Sequence, residues 1–336
     1  MAALRVRVTQ WLERRWYGDA TPGVLLRALS ALFGRVARSR RAAFVSGKKP
    51  GASVAVPVIV VGNLAVGGAG KTPLTIALVQ ALMARGFRPG VVSRGYGSAG
   101  KGTHRVSLHD DAAIAGDEPL LIARRTGAPV AVAAKRIDAA RLLLESGDVD
   151  VLIADDGLQH YALARDIEIL AIDGRRRFGN ARLLPAGPLR EPTERAAACD
   201  FIVVNGGEPG EGEVPMTLAF SSVYPLGGGD AIPLSTFHGT QVHAVAGIAE
   251  PARFFDALRA AGLMLQPHGF PDHHAYAPGE LDFTDAAPVL MTEKDAVKCA
   301  AFTRGNAYAV AVTAQLPDAF FDAVAARLAT LQENSR

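Results

Sequence analysis

The chain has 336 residues, enough for two domains, and its 49% hydrophobic and 21% charged residues predict a folded protein with a sizeable core. The two cysteines, Cys199 and Cys299, form no paired-cysteine or Cys/His motif, which argues against a disulfide scaffold or zinc site and favours a reducing compartment. The net charge of +3 is uneven, because residues 1–49 carry +9 and the rest of the chain carries −6.

The basic N-terminal segment, residues 1–49, indicates an anionic partner surface, either a membrane or a nucleic acid. Between residues 24 and 36 its apolar residues fall on one helical stripe, formed by Leu25, Leu26, Leu29, Leu32, Phe33 and Val36. This pattern fits a helix lying in a membrane surface, but by itself it favours an ordinary helix packed on a core. No apolar run reaches the ~18 residues needed to cross a bilayer, and no signal peptide is evident, so export is not predicted.

After this segment, short apolar runs alternate with helical patterns, which predicts a doubly wound, mostly parallel α/β sheet. The predicted strands are residues 57–61, 89–93, 129–133, 149–154, 167–172 and 201–204, and helices are predicted at 73–85 and 137–146. Gly/Pro-rich passages at 205–215 and 225–233 indicate a domain boundary. We therefore predict a nucleotide-binding domain over residues 50–228 and a smaller α/β domain over 229–336.

The stretch "VPVIVVGNLAVGGAGKTP", residues 56–73, predicts a phosphate-binding loop between a buried strand and a helix. Its predicted cradle comprises Gly67, Gly68, Ala69, Gly70, Lys71, Thr72 and Pro73. Backbone N–H groups and the helix N-terminus would hold phosphate oxygens, Lys71 would reach the β- and γ-phosphates, and the Thr72 hydroxyl would bind Mg²⁺. Ala65 departs from the standard motif, which has glycine there, whereas Pro73 is compatible with a first helical turn.

A second motif, "VDVLIADDGLQH" at 149–160, places Asp155 and Asp156 at the end of a predicted strand. This is the position of a carboxylate that holds Mg²⁺ beside a phosphate loop, and two adjacent carboxylates favour a nearby cation. Gln159 and His160 follow within a turn, where they could orient water or a phosphate. An acidic loop or helix cap explains either aspartate alone but explains the pair poorly.

Two further stretches contain candidate acid–base residues. In "GDEP", Asp117 and Glu118 precede a proline, and a helix cap and a base for an acceptor hydroxyl are equally compatible with that spacing. In "GFPDHHAYAP", the cluster of Asp272, His273 and His274 could bind a metal, orient a base, cap a helix or simply lie in a solvent-exposed loop. Two adjacent histidines do not easily ligate one ion, so a base or an orienting role fits better than a metal site.

Arginines also occur on glycine-rich loops at residues 92–102 and 173–192, after predicted strands. In open α/β sheets, ligands bind at these strand ends, so the two loops indicate a second, phosphorylated substrate. The segment "TEKDAVK" at 292–298 has the wrong residue order for a guanine-specificity motif, and GTP is not predicted from it.

Seven stretches in this order resemble the tetraacyldisaccharide 4′-kinase family, the lipid A kinases of Gram-negative bacteria. They are "GNLAVGGAGKTP", "SRGYG", "GDEP", "DDGLQH", "GPLREP", "FPDHHAY" and "TEKDAVK", spanning residues 62–298. The resemblance implies a P-loop α/β core with a smaller C-terminal α/β domain. It also implies transfer of the ATP γ-phosphate to the 4′-hydroxyl of a tetraacylated glucosamine disaccharide 1-phosphate.

The resemblance further implies a role for each candidate residue. Asp117 would accept the hydroxyl proton, with His273 as its partner and Asp272 orienting the imidazole. Lys71 would act on the transferred phosphate, and Thr72, Asp155 and Asp156 would hold Mg²⁺. Arg94, Tyr96, Gln159, His160 and Arg190 would surround nucleotide or lipid phosphates, and "TEKD" would lie near the nucleotide base.

The family's location implies a peripheral protein on the cytoplasmic face of the inner membrane, with the basic N-terminus docking on that anionic surface. The family resemblance therefore favours a membrane-docking helix at residues 24–36, whereas the apolar pattern alone favours a helix packed on a core. No nucleic acid and no obligate protein partner are expected.

Two alternatives remain open from the sequence. A regulatory P-loop NTPase of the metallochaperone type would share the loop and the aspartates, although Val66 stands where that class often has lysine. A non-enzymatic membrane- or nucleic-acid-binding protein would show salt-sensitive binding without nucleotide dependence.

Overall fold

Two β-sheets organise the chain, each with apolar packing on both of its faces. The computed structural model describes residues 8, 11–95, 102–299 and 305–334. The strands are β1 Val58–Gly62, β2 Pro89–Ser93, β3 His104–Arg105, β4 Val130–Val132, β5 Val151–Ala154, β6 Ile167–Asp173, β7 Phe201–Asn205, β8 Val214–Ala219, β9 Ser222–Pro225, β10 Ile232–Pro233, β11 Gln241–Ala246, β12 Met264–Gly269, β13 Val289–Thr292, β14 Ala307–Val310 and β15 Thr313–Gln315. The α-helices are α1 Val24–Val45, α2 Lys71–Ala84, α3 Ala112–Ala115, α4 Asp117–Thr126, α5 Arg136–Leu144, α6 Pro251–Ala260, α7 Glu293–Cys299 and α8 Asp318–Asn334.

The first sheet has nine strands in the order β15-β8-β7-β6-β1-β5-β2-β4-β3. The seven inner strands are parallel to one another, whereas β15 and β3 pair antiparallel at the two edges. Helices α2, α4 and α8 pack on one face, and α5 with several loops covers the other. The central strands β1, β2 and β5 are completely buried, as the continuous apolar runs predict. The predicted doubly wound α/β architecture is confirmed.

The second sheet has six strands in the order β10-β9-β14-β13-β11-β12. Strands β11 to β14 are parallel to their neighbours within that group, and β9 and β10 run antiparallel at one edge. Helix α6 packs on one face and α7 on the other. A second α/β unit is therefore present, as the sequence predicts.

The boundaries of that unit differ from the predicted range of 229–336. Strand β9 already belongs to the second sheet, whereas β15 and α8 return to the first sheet at the end of the chain. Helix α8 returns because its buried residues, Phe320 and Val324 among them, pack in the first core, where Phe320 meets the Phe201 ring edge-on at 5.4 Å. The second unit is thus an insertion between β8 and β15.

The chain crosses between the sheets twice, and the two crossings lie side by side. Ala219 at the end of β8 is opposite Thr313 in β15, and the Ala311 N–H donates to the carbonyl of Ser222. The Gly/Pro-rich passages lie elsewhere, because residues 206–213 connect β7 to β8 and residues 226–231 connect β9 to β10. These glycines form turns inside each unit rather than the link between the units.

Helix α1 packs on the first unit through small residues and exposes its apolar stripe. Ser30 and Gly34 are its buried positions, and the Ser30 hydroxyl donates to the Leu183 carbonyl. A Cβ at Gly34 would lie 2.6 Å from the Leu183 side chain, so a larger residue would require that side chain to shift. On the opposite side Leu25, Leu32 and Val36 are 72%, 58% and 61% exposed. The stripe therefore does not pack on a core. In the part of the chain that the structure describes, no helix combines the length and apolar character needed to cross a membrane.

Candidate active site

The phosphate-binding loop lies between β1 and α2. A strand-like contact explains why the loop has Ala65 where the standard motif has glycine. Ala65 forms an antiparallel bridge with Leu189, flanked by hydrogen bonds from the Val66 N–H to Pro188 and from the Arg190 N–H to Leu64. Residue 65 is therefore extended and does not need glycine. The same bridge places Arg190 beside the loop.

The glycines further along the loop do need their conformational freedom. Gly67 and Gly70 have φ values of +114° and +80°, in the region that side chains with a Cβ rarely adopt. A Cβ at Gly70 would lie 2.6 Å from the Asn205 amide, whereas Cβ atoms at Gly67 and Gly68 would meet no protein atom. The loop thus packs tightly on its inner side and borders open space on the outer side.

The aspartate pair follows β5 in a turn that a buried arginine holds. Arg136, at the start of α5, donates from its guanidinium to the backbone carbonyls of Asp155 and Asp156 at 2.9 and 2.8 Å. Asp156 has a φ of +46°, which is unfavourable for a residue with a Cβ and has to be held by its surroundings. No sequence motif identifies Arg136 as a partner of this turn. It lies 20 positions before Asp156 and contacts backbone carbonyls, which no side-chain pattern indicates.

The two aspartates have different surroundings. Asp155 is buried and accepts a hydrogen bond from Thr75, whereas Asp156 faces the cleft and lies 3.5 Å from the Lys71 amine and 3.2 Å from Arg190. Burial, followed by the charges of Glu118 and Asp156, raises the pKa of Asp155 to about 7. Burial also acts to raise the pKa of Asp156, but Lys71 and Arg190 outweigh it and the pKa is lowered. The turn therefore presents one ionised carboxylate to the cleft.

Asp117 and His273 come together across the cleft from the two units. Asp117 is the first residue of α4 and not its N-cap, which is Gly116. The Asp117 Oδ2 lies 3.3 Å from His273 Nδ1 and 3.6 Å from the Lys298 amine. Burial acts to raise the pKa of Asp117, but the His273 hydrogen bond and the Lys298 charge outweigh it and the pKa is lowered. The carboxylate is thus ionised near neutral pH.

The position of Asp272 differs from the prediction that it orients the imidazole. Its nearer carboxylate oxygen lies 3.9 Å from His273 Nε2, beyond hydrogen-bond distance, and the Lys294 amine lies 3.2 Å from that nitrogen. Lys294 also donates to Asp272 and to Glu118, at 3.2 Å each. Lys294 is thus placed between Asp272 and the ring. The segment "TEKDAVK" ends β13 at Thr292 and continues into α7, whose Lys294 and Lys298 lie at the Asp117–His273 pair. That "TEKD" also lies near the nucleotide base stays a prediction.

A group of arginines lines the other end of the cleft. Arg40 from α1, Arg94 after β2 and Arg136 line it, and we call these three residues the basic wall. His160 lies among them, and burial together with arginine charges lowers its pKa to about 4. The imidazole is therefore neutral near pH 7, and the local field favours a bound anion.

Glu191 is a buried acidic group that the sequence analysis did not single out. It follows Arg190 and is 3% exposed, it accepts a short hydrogen bond from the Tyr161 hydroxyl, and it lies 3.4 Å from the Gln159 amide. Gln159 also donates to the Asn63 carbonyl at 3.0 Å and accepts from Arg190 at 3.4 Å. Gln159 therefore links the phosphate loop to the 188–191 segment.

One cleft of about 1100 Å³ connects these groups. It extends from Phe33, Val36 and Arg40 of α1, past the phosphate loop, to the second unit at Asp272, His273 and Lys294. Typical small-molecule sites occupy about 300–1000 Å³, so this cleft has room for two substrates. At α1 its lining combines the apolar Phe33 and Val36 with Arg40, and at the loop it is charged.

Most of the predicted site residues share this cleft. The lining includes Gly67, Gly68, Ala69, Gly70, Lys71, Thr72, Pro73, Arg94, Asp156, Gln159, His160, Arg190, Asp272 and His273. Asp155 lies behind it, and Asp117 adjoins it through His273. Tyr96 falls outside the described residues.

A second set of ion pairs joins the two units on the side away from Asp117. Arg253 of α6 lies 2.6 Å from Asp173 at the end of β6, and Glu250 lies 2.7 Å from Arg176. Together with Lys298–Asp117 and Arg125–Glu293, these pairs hold the cleft from both sides.

Comparisons with known proteins agree with one another. The model of the family described as tetraacyldisaccharide-1-P 4′-kinase matches residues 23–329. A tetraacyldisaccharide 4′-kinase of Stenotrophomonas maltophilia (strain R551-3) is 52% identical over 330 residues, covering 95% of this chain and 97% of the relative. One from Xanthomonas euvesicatoria pv. vesicatoria is 51% identical over 326 residues, covering 93% and 94%.

A solved structure is also similar along most of the chain. It is a crystal structure of the "apo" form of LpxK from Aquifex aeolicus in complex with ATP, with a TM-score of 0.77 and 29% sequence identity. The match covers 90% of this chain and 98% of that one. None of these matches names a regulatory NTPase. The chain belongs to the tetraacyldisaccharide-1-P 4′-kinase family, and it is a kinase.

Proposed function

We propose that this kinase transfers the γ-phosphate of ATP to the 4′-hydroxyl of a tetraacylated glucosamine disaccharide 1-phosphate. The observation that carries the proposal is one cleft that holds a phosphate loop, an apolar end at α1 and His273, whose ring contacts the ionised carboxylate of Asp117. A regulatory switch would need the loop but not the carboxylate pair or the apolar end. The test is ADP formation that depends on the lipid acceptor, whereas a switch would hydrolyse ATP slowly with or without it.

The loop and the aspartate turn suit ATP and Mg²⁺. The open space over Gly67 and Gly68 leaves room for phosphates, and backbone N–H groups at the α2 N-terminus suit their charge. Mg²⁺ is typically bound through one or two carboxylates completed by phosphates and water, and Thr72 and Asp156 would hold it here, with Asp155 behind them. When bound, the ion supplies positive charge against the phosphate oxygens.

Asp117 acts as the base in this proposal. The 4′-oxygen forms a bond to the γ-phosphorus, the bond from that phosphorus to the β,γ-bridging oxygen breaks, and the hydroxyl proton passes to the Asp117 carboxylate. Phosphoryl transfer needs little covalent assistance, so the carboxylate chiefly orients the hydroxyl and receives its proton late. Lys71 and the loop N–H groups stabilise charge on the transferred group and on ADP. Because the pair spans both units, closure of the cleft would gate the reaction.

The basic wall is our proposed site for the 1-phosphate of the acceptor. It lies toward α1, whereas the ATP phosphates belong at the loop, so the two anions occupy different parts of the cleft. Arg94, His160 and Arg136 would surround this phosphate, with Arg40 reaching it from the helix that faces the acyl chains.

Replacing Arg40 with alanine is therefore expected to raise the KM for the lipid about tenfold, since a hydrogen bond to a charged group contributes about 1.5–3 kcal/mol. The KM for ATP is expected to stay unchanged. Arg35→Ala, which removes an exposed arginine outside the cleft lining, is the matched control. Steady-state kinetics with each substrate varied in turn, in neutral detergent, makes the measurement, and equal changes in both KM values would contradict the assignment.

We also propose that α1 docks on the anionic cytoplasmic surface of the inner membrane. Its exposed stripe is apolar, its remaining surface carries arginines such as Arg27 and Arg38, and its inner end lines the cleft. A helix of this composition lies in the headgroup region with its apolar face inserted. A lipid acceptor could then enter the cleft along α1 with its acyl chains still in the bilayer.

The double variant Leu32→Glu, Val36→Glu is expected to weaken binding to phosphatidylglycerol/phosphatidylethanolamine vesicles at least about 100-fold, because burying each side chain contributes ~1.5–3 kcal/mol. Vesicle sedimentation measures it. Met264→Glu, at a residue 56% exposed in the second unit, is the control and should bind like the wild type. Equal binding by the double variant would exclude α1 as the docking element.

A further inference from the structure

Helix α7 directs a lysine at the histidine of the Asp117–His273 pair. The Lys294 amine lies 3.2 Å from His273 Nε2, Glu118 Oε1 and Asp272 Oδ1, and its side chain is 16% exposed. Burial acts to lower the pKa of Lys294, but Glu118 and Asp272 outweigh it and the pKa is raised. Lys294 is thus a partly buried ammonium group in contact with an imidazole nitrogen.

This contact determines which imidazole nitrogen carries the proton. A lysine ammonium has three N–H donors and no acceptor, so the nitrogen at 3.2 Å has to accept. The other ring nitrogen, Nδ1, faces the ionised carboxylate of Asp117, which has only acceptors. Both contacts are satisfied by a neutral ring protonated at Nδ1.

We propose that Lys294 is a positioning residue that holds His273 as its neutral Nδ1–H tautomer, so that the ring donates to the base Asp117. The inference rests on the proposed role of Asp117 as the base. With Lys294 in place, Nε2 is occupied by an N–H donor. The acceptor proton therefore goes to Asp117 and not onward to the histidine.

Lys294 also links the two units through Glu118, and that contact alone would be an ordinary ion pair between domains. The two roles predict different results, because a domain link should not affect the imidazole. Glu118→Gln weakens the link and leaves the Lys294–His273 contact, whereas Lys294→Met removes both.

Lys298, one turn further along α7, offers a matched control on the same helix. Its amine lies 3.6 Å from Asp117 and 3.0 Å from Asp295, and it donates to the His274 carbonyl. It therefore acts on the carboxylate and not on the ring. Lys298→Met removes a lysine of similar burial without removing the donor to Nε2.

The direct test is a ¹⁵N spectrum of the full-length protein with labelled histidine, recorded near neutral pH without substrates. The chain has eight histidines, and His273→Asn identifies the signal of residue 273. In the wild type we expect Nδ1 to be protonated and Nε2 unprotonated, and Lys298→Met and Glu118→Gln should retain that pattern. In Lys294→Met the donor to Nε2 is gone, so a proton on Nε2 should become populated while Nδ1 stays protonated toward Asp117.

The wild-type spectrum alone can overturn the proposal, so the test does not depend on whether a variant folds. A wild-type His273 protonated at Nε2 would contradict it, and so would an Nε2 that stays unprotonated in folded Lys294→Met. Because no turnover is needed, a failed tautomer prediction is distinct from a failed kinase assignment. Circular dichroism checks the fold of each variant.

A kinetic measurement adds a second criterion. Lys294→Met is expected to lower kcat roughly 10- to 100-fold, since small misplacements of a catalytic group have effects of this size. The KM for ATP should not change, and Lys294→Arg should recover part of kcat because arginine also presents N–H donors. A rise in the KM for ATP with an unchanged kcat would contradict the positioning role.

Discussion

Replacing Asp117 with asparagine is expected to reduce kcat by roughly 10²- to 10⁴-fold, the usual contribution of a general base. The amide matches the carboxylate in shape but cannot take up the proton of the acceptor hydroxyl. The affinity for ATP should stay near the wild-type value, because Asp117 faces His273 and Lys298 and not the phosphate loop. Single-turnover kinetics and a separate ATP-binding measurement give the two quantities.

The same replacement has an expected pH dependence. The pKa of Asp117 is lowered, so its ionised form is present above that pKa and is lost only as the pH falls through it. An ordinary aspartate has a pKa of about 3.9, so the activity deficit of Asp117→Asn should be constant between about pH 6 and pH 8. Asp256→Asn, an exposed change of the same chemistry in α6, should have no effect. Wild-type kcat in folded Asp117→Asn would rule out Asp117 as the base.

Replacing Lys71 with methionine is expected to lower kcat/KM roughly 10²- to 10³-fold, as removal of one preorganised charge from a transition state typically does. The Lys71 amine lies at the start of α2, 3.5 Å from Asp156, and faces the cleft over the phosphate loop. Methionine retains most of the side-chain volume and removes the charge. The loss should appear mainly in kcat, because the backbone of the loop still binds ATP.

Lys135→Met removes an exposed lysine in the same unit and should retain wild-type kinetics. Lys71→Arg is expected to recover little activity, because the planar guanidinium differs in shape and donor geometry from a compact ammonium. If Lys71→Met bound no ATP, its role would be binding and not charge stabilisation in the transition state.

The sequence was sufficient to predict the first sheet because its strands are buried on both faces. Such strands appear as continuous apolar runs, and residues 89–93 were predicted with the observed bounds of β2. The positions of the phosphate loop and of the Asp155–Asp156 pair could also be predicted from the sequence, because both motifs have a fixed spacing next to a strand. The reason why alanine is tolerated at position 65 could not be predicted, because its bridge partner Leu189 lies more than 120 positions away in the sequence.

The domain boundary could not be predicted because an amphipathic helix does not identify its own partner. Phe320 and Val324 predict a buried face on α8, but the choice between the two sheets depends on where β15 pairs. Glycine-rich turns indicate where the chain bends, and at residues 206–213 the bend lies within one unit.

The charges around Asp117 were missed for a related reason. Lys294 and Lys298 are spaced four apart, which predicts one helix face, but only the packing of α7 against α4 brings that face to Asp117 and Glu118. Arg136 likewise acts through backbone carbonyls, which no side-chain pattern indicates.

The most direct test of the account is the product formed from ATP labelled in its γ-phosphate. The protein is incubated with this ATP, Mg²⁺ and the tetraacylated disaccharide 1-phosphate in detergent, and the lipids are separated by chromatography. The account predicts a labelled bis-phosphorylated lipid with the new phosphate at the 4′-position, formed roughly 10²- to 10⁴-fold more slowly with Asp117→Asn. An unlabelled lipid, from folded protein that binds ATP, would contradict it.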